Sequence, residues 1–92
     1  MNIYAIKDEL RKKFLQPFFS DPITVKRSII TMRENDQTEL HRFPEQFTLY
    51  YLGEVDEETG VIKASRMPID TVSDINFETL EEGDDYAISN DE

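Results

Sequence analysis

The chain has 92 residues, no cysteine and a net charge of −10. This length limits it to one small domain, and the lack of cysteine excludes a disulfide framework and a thiolate metal site. No apolar run approaches the roughly 18–20 residues of a membrane span, and charge occurs too early in "MNIYAIKDEL" for a signal peptide. These features predict a soluble intracellular protein with no membrane partner.

The charge is distributed unevenly along the chain. All 10 Lys and Arg residues lie within residues 1–66, whereas residues 67–92 contain acids and neither Lys nor Arg. The two parts are therefore interpreted separately. The sequence predicts a single, nearly neutral domain over residues 1–66 and an acidic tail over residues 67–92, partly ordered or disordered.

The first two predicted elements are extended segments. An apolar run rich in strand formers predicts a strand over residues 2–8. The segment "LRKKFLQPFFS" follows, and Pro17 makes it an edge strand or one that ends irregularly, because proline cannot donate a ladder hydrogen bond. Strand alternation leaves two arrangements open for its phenylalanines. Either a bend at Pro17 brings them to the core, or Phe18 or Phe19 faces outward beside Lys12 and Lys13.

A helix with clear boundaries comes next. Asp21 is a natural N-cap, and Pro22 stands at the first helical position, where its missing N–H costs nothing. Val25, Ile29 and Met32 form an apolar stripe on one helix face. We expect the helix to end near Asn35, with a polar connector and at most one helical turn at Pro44 after it.

The segment "FTLYYLGEVDEETGVIKAS" predicts a β-hairpin. Phe47, Leu49 and Tyr51 share one face of its first strand, Tyr50 lies on the other, and Gly60 provides the positive φ that closes the turn. The predicted fold class is therefore α+β. It consists of an antiparallel sheet of about four strands, in the order ββαββ along the chain, with one main helix on one face. A sheet this small leaves edges uncovered, which favours a homodimer.

The polar residues do not form a recognisable catalytic set. His41 is the only histidine, there are three glycines, and no phosphate-binding loop motif is present. The acids of "EVDEETG" lack the spacing of a calcium loop. We therefore expect a protein that is not an enzyme and uses no metal or cofactor.

One group of residues points to nucleic acid. Basic side chains near aromatic rings are typical of single-strand binding, in which a ring stacks on an unpaired base while cations contact phosphates. The alternative interpretation is a solvated basic face above an ordinary core. If the surface binds DNA, the acidic tail is expected to compete with DNA for it. The alternative is a disordered tail that increases solubility, or a tail strand that completes the sheet. The candidate nucleic-acid-binding residues are Lys12, Lys13, Phe18, Phe19, Lys26, Arg27 and Arg33.

Three stretches resemble a known family. They are "IYAIKDE", the "PFF" that precedes a helix carrying "KRSI", and "FPEQFTLYYLGEVDEETG". Together they are similar to the small nonstructural protein of microviruses, the gokushovirus-type single-stranded DNA phages. The resemblance implies a role on viral single-stranded DNA in genome replication and its handover to packaging. It also implies a location in the host bacterial cytoplasm, outside the virion, and no catalytic residues.

Two other function classes remain open from the sequence. The first is a homodimeric interaction module that binds viral replication or procapsid proteins and does not bind DNA. The second is a host-directed decoy whose acidic tail mimics DNA.

Overall fold

The computed structural model describes residues 1–76 and confirms the predicted α+β class. A five-stranded antiparallel sheet is covered on one face by one main helix. None of the helices in this part of the chain is long and apolar enough to cross a membrane. The elements are β1 (Asn2–Asp8), β2 (Lys13–Phe14), β3 (Phe18–Ser20), α1 (Pro22–Glu34), α2 (Glu39–Arg42), β4 (Phe47–Val55) and β5 (Ile62–Thr71), with 3₁₀ turns at Pro44–Gln46 and Val72–Asp74.

Strand β1 lies inside the sheet. It pairs with β4 along one side and with both β2 and β3 along the other, and β5 pairs with the far side of β4. The segment predicted as one second strand is therefore two short strands on the same edge. This split accounts for five strands where about four were expected.

The interruption between β2 and β3 is a β-bulge. Phe14 lies opposite Lys7, and Phe18 lies opposite Tyr4. Four steps along the edge thus match three steps along β1, so the edge carries one extra residue around Pro17. Proline is tolerated there because an edge position does not need its N–H.

The bulge sets which phenylalanine faces the core. In an uninterrupted strand Phe14 and Phe18 would share a face, since side chains alternate with a period of two. With the extra residue, Phe18 turns to the side of Tyr4, and its ring lies 6.3 Å from the Tyr4 ring. Phe14 and Phe19 share the opposite face. The alternative left open by the sequence is thereby decided, with Phe18 inward and Phe19 outward.

Helix α1 begins and ends as predicted. The Asp21 carboxylate accepts a hydrogen bond from the Thr24 N–H at 2.8 Å, Pro22 is the first helical residue, and Asn35 is the C-cap. Val25 and Ile29 are fully buried, and Met32 packs against the core from a half-buried position. A further short helix, α2, was not predicted; the Thr38 hydroxyl caps it by accepting from the His41 N–H at 3.2 Å.

The N-cap carries a testable prediction about stability and pH. We expect Asp21→Ala to lower the free energy of unfolding by about 1 kcal/mol, the usual cost of losing an N-cap. The hydrogen bond from the Thr24 N–H is the main reason that the pKa of Asp21 lies below its ordinary 3.8. Because this pKa is depressed in the folded state, the charged cap stabilises the fold above pH 3.8, and this contribution is lost as pH falls through the lowered pKa.

Urea unfolding of the Asp21→Ala and Asp21→Asn variants, at neutral pH and in steps down through pH 3.8, measures both effects. Asparagine keeps the capping oxygen without the charge, so Asp21→Asn should retain most of the neutral-pH stability and lose part of the acid dependence. Equal destabilisation by both variants at neutral pH would contradict a cap based on hydrogen bonding.

The core lies between α1 and one face of the sheet, which we call the helix face. Tyr4 and Ile6 of β1 and Leu49 and Tyr51 of β4 point to this face and are buried. The alternation of Phe47, Leu49 and Tyr51 is confirmed, since all three belong to the buried cluster. The opposite face, which we call the open face, receives the intervening side chains.

The predicted hairpin is confirmed as β4, β5 and the turn between them. The Asp56 carboxylate accepts hydrogen bonds from the N–H groups of Glu58, at 2.9 Å, and Thr59, at 3.3 Å. Gly60 has the expected positive φ, at 77°. A second glycine, Gly53, has φ 132° in the middle of β4, where the pairing register shifts on both sides of the strand.

Ordered structure continues beyond residue 66. Strand β5 extends to Thr71, and Val72 and Ile75 are fully buried in the core. The Arg33 guanidinium donates hydrogen bonds to the main-chain carbonyl of Val72, at 2.9 Å, and to that of Ile75. Residues 67–76 are therefore part of the folded domain. Most of the predicted acidic tail, residues 77–92, lies outside the described residues.

Candidate nucleic-acid interface

Three aromatic side chains and one lysine come together on the open face of the sheet. Lys7 alternates with the buried Ile6 on β1, and Tyr50 alternates with the buried Leu49 and Tyr51 on β4. The edge strands add one ring each, because Phe14 pairs with Lys7 and Phe19 pairs with Ile3. We call the set Lys7, Phe14, Phe19 and Tyr50 the aromatic face.

One end of the aromatic face is a compact cluster. The Phe14 and Tyr50 rings meet edge to face, with centroids 5.0 Å apart and an interplanar angle of 79°. The Lys7 ammonium lies 5.7 Å from the Phe14 centroid and 6.0 Å from that of Tyr50, which is within cation–π range. The Glu9 carboxylate also contacts this ammonium, at 3.6 Å. The cluster thus presents a positive charge beside two rings at the protein surface.

The other end of the aromatic face is Phe19. Its side chain is 60% exposed, and its strand partner Ile3 is half-buried. A ring this exposed contributes little to the core, and burying it against a ligand would remove apolar area from water.

Two of the predicted basic residues support the fold instead of the aromatic face. Lys26 is only 2% exposed, on the buried side of α1. Arg33 is half-buried, and its guanidinium holds the carbonyls of Val72 and Ile75. Neither side chain presents its charge to the open face.

Arg27 is exposed, but it projects from α1 on the other side of the sheet. Its charge helps to lower the pKa of Asp21, although the Thr24 hydrogen bonds contribute more.

Lys12 and Lys13 lie in and next to the turn that joins β1 to β2. Lys12 has a positive φ of 56°, and Lys13 lies opposite Asp8, which is on the helix-face side of β1. The buried Asp8 carboxylate ties this turn by accepting from the N–H groups of Leu10, at 3.0 Å, and Arg11, at 3.2 Å. Both lysines are exposed and lie at the sheet edge that carries Phe14.

The candidate set from the sequence therefore divides. The structure brings Phe19 to the open face, with Lys12 and Lys13 at its margin, and leaves Phe18 half-buried against Tyr4. Lys7, Phe14 and Tyr50 were not among the predicted site residues. Alternation with Ile6 and Leu49 was the signal for Lys7 and Tyr50, but no local signal placed Phe14 beside them.

The described residues hold no group of three or more His, Asp or Glu side chains that could bind a metal ion. His41 is exposed, and its Nδ1 lies 2.9 Å from the Arg33 carbonyl oxygen, so it contacts the end of α1.

Comparison with known proteins gives one match. The model of the family described as phage ORF5 protein matches residues 1–77, which include all of the described fold. Neither a curated protein nor a solved structure matches the chain.

Proposed function

The chain belongs to the phage ORF5 protein family, and we propose that it is a non-enzymatic protein that binds viral single-stranded DNA through the aromatic face. In this proposal the rings of Phe14, Phe19 and Tyr50 stack on unpaired bases, and Lys7 contacts phosphate. The protein acts in genome replication and in the handover of the genome to packaging. It works in the cytoplasm of the infected bacterium and is left out of the virion.

The observation that carries the proposal is the exposure of aromatic rings beside a cation on a sheet face that α1 does not cover. Phe19 is 60% and Phe14 is 38% exposed, although a small domain gains stability by burying such side chains. A sheet face with rings and a cation is complementary to a single strand, which offers both unstacked bases and phosphates. Duplex DNA keeps its bases stacked and would leave these rings without partners.

The resemblance of residues 1–62 to the microvirus nonstructural protein supports the choice of single-stranded DNA. Such phages package a single-stranded genome, and a protein that covers unpaired bases suits the step between replication and packaging. This assignment is narrower than membership in the phage ORF5 family.

The test is fluorescence anisotropy with a labelled oligothymidine and the full chain. We expect binding at low salt, and we expect Phe19→Ala to weaken it by about 5- to 150-fold, since one stacked base contributes about 1–3 kcal/mol. Phe43→Ala is the matched control, because Phe43 is 48% exposed and lies outside the aromatic face. Absence of binding by the unchanged protein at low salt would overturn the proposal. Equal weakening of oligothymidine binding by the two variants would overturn the assignment of the aromatic face as the binding surface.

The salt dependence of the same measurement reports how many phosphates the protein neutralises. For single strands the slope of log affinity against log salt is about −0.7 for each phosphate neutralised. A slope near −0.7 corresponds to one neutralised phosphate, as expected for Lys7 alone, and a slope near −2 corresponds to three, as expected if Lys12 and Lys13 also take part. Lys63→Ala is the control for Lys7→Ala, because Lys63 is an exposed lysine on β5.

A second candidate function is supported by β5. In the described residues this strand pairs only with β4, and Val61, Ile62 and Met67 around it are exposed. An edge with exposed apolar side chains is a site for strand pairing. In this alternative the chain is a homodimeric adaptor for viral replication or procapsid proteins. It would sediment as a dimer and would leave the oligothymidine unbound.

A further inference from the structure

The aromatic face has two separate ends. Phe14 and Phe19 pair with Lys7 and Ile3 of β1, which lie four residues apart on the same side of that strand. At about 3.3–3.4 Å per residue, the two pairs are separated by about 13 Å along β1. Tyr50 belongs to the Phe14 end, because the two rings are 5.0 Å apart.

The β1 residue between the two ends is small and apolar. Ala5 lies on the open face between Ile3 and Lys7, and it is fully buried. Its methyl group neither blocks a strand that passes above it nor offers a hydrogen bond to the edge of a base. Ala5 therefore adds no base-specific contact between the two ends.

The two ends should also differ in their affinity for a nucleotide. The Phe14 end has two rings and the Lys7 ammonium within about 6 Å of both ring centroids. The Phe19 end has one exposed ring. A short ligand that reaches only one end should prefer the end with the cation, because that end binds both a base and a phosphate.

We propose that the aromatic face holds one single strand at two base-stacking stations, the first formed by Lys7, Phe14 and Tyr50 and the second by Phe19; this inference rests on the proposed function. The nucleotides between the stations cross above Ala5. At a spacing of about 3.4 Å per nucleotide, as in a stacked strand, about four steps cover about 13 Å. Some five nucleotides then reach both stations, fewer if the strand is extended, whereas a dinucleotide reaches one.

The experiment is an NMR titration of the full chain with a thymidine dinucleotide and with a thymidine octanucleotide. In the unchanged protein we expect the dinucleotide to shift the amide signals around Lys7, and the octanucleotide to shift those around Lys7 and Phe19. Phe19→Ala should weaken binding of the octanucleotide by about 5- to 150-fold and binding of the dinucleotide by less than about twofold. Phe14→Ala should weaken binding of both oligonucleotides, and Phe43→Ala should weaken binding of neither.

The outcomes separate this inference from the proposed function. Suppose that the octanucleotide binds, but Phe19→Ala weakens binding of both oligonucleotides equally or of neither. The proposal of two stations is then overturned, while DNA binding stands. If the unchanged protein does not bind the octanucleotide, the proposed function is overturned, and the two stations with it.

Discussion

Replacing Gly53 with alanine should destabilise the protein by about 3 kcal/mol. Gly53 has φ 132°, a conformation that residues with a side chain rarely adopt, and such strain costs about 1–3 kcal/mol. A Cβ atom there would also overlap the Lys63 carbonyl oxygen and lie 3.1 Å from the Ala64 Cα of β5. Both neighbours are backbone, so relieving the overlap requires the two strands to move apart.

Gly60→Ala is the matched control for this prediction. Gly60 also has a positive φ, at 77°, but no atom lies within 4 Å of its added Cβ. Its substitution should therefore cost only the conformational strain, about 1–2 kcal/mol. Thermal unfolding measures both, because 1 kcal/mol shifts Tm by about 4–8 °C in a domain of this size. Similar shifts for the two variants would contradict the close approach of β4 and β5 at Gly53.

Ile29→Ala should be comparably destabilising, by about 2–5 kcal/mol. Ile29 is fully buried where α1 packs on the helix face of the sheet. Truncating it removes buried apolar atoms and leaves a cavity, and both losses add to the cost. Since small domains have free energies of unfolding of roughly 5–15 kcal/mol, this one substitution should remove much of the protein's stability.

Ile23→Ala provides the comparison on the same helix. Ile23 is 39% exposed, so its truncation leaves no enclosed cavity. We expect the free energy of unfolding to fall by no more than about 1 kcal/mol. Urea unfolding of both variants tests the orientation of α1. Equal losses, or a larger loss for Ile23→Ala, would show that α1 does not pack on the sheet through Ile29.

Irregular strand pairing determines which rings lie on the aromatic face. Phe14 and Phe19 share the open face only because the edge strand has one extra residue opposite β1. A similar irregularity in β4, next to Gly53, shifts its register with β1 between Ile3 and Tyr4. Of the two irregularities, the one around Pro17 places Phe14 and Phe19 on the same face, since bulges commonly re-aim side chains.

The sequence by itself determined the features that depend on local interactions. The start of α1 depends on Asp21 and Pro22, and the hairpin turn depends on Asp56 and Gly60, all within a few residues of the elements they shape. The faces of β4 follow from alternation alone, since Phe47 to Tyr51 run without interruption. For such features the partners are neighbours in the chain, so pattern and capping rules are sufficient.

Only the tertiary structure decided which aromatic and basic side chains lie on the open face. The inward turn of Phe18 and the outward turn of Phe19 depend on a register with β1 that the extra residue around Pro17 changes by one. Arg33 is withdrawn from the surface by carbonyls some 40 residues away in the chain, at Val72 and Ile75. Because one step of register exchanges the two faces of a strand, only long-range pairing with β1 brought Phe14 and Phe19 to the face that Lys7 and Tyr50 occupy by alternation.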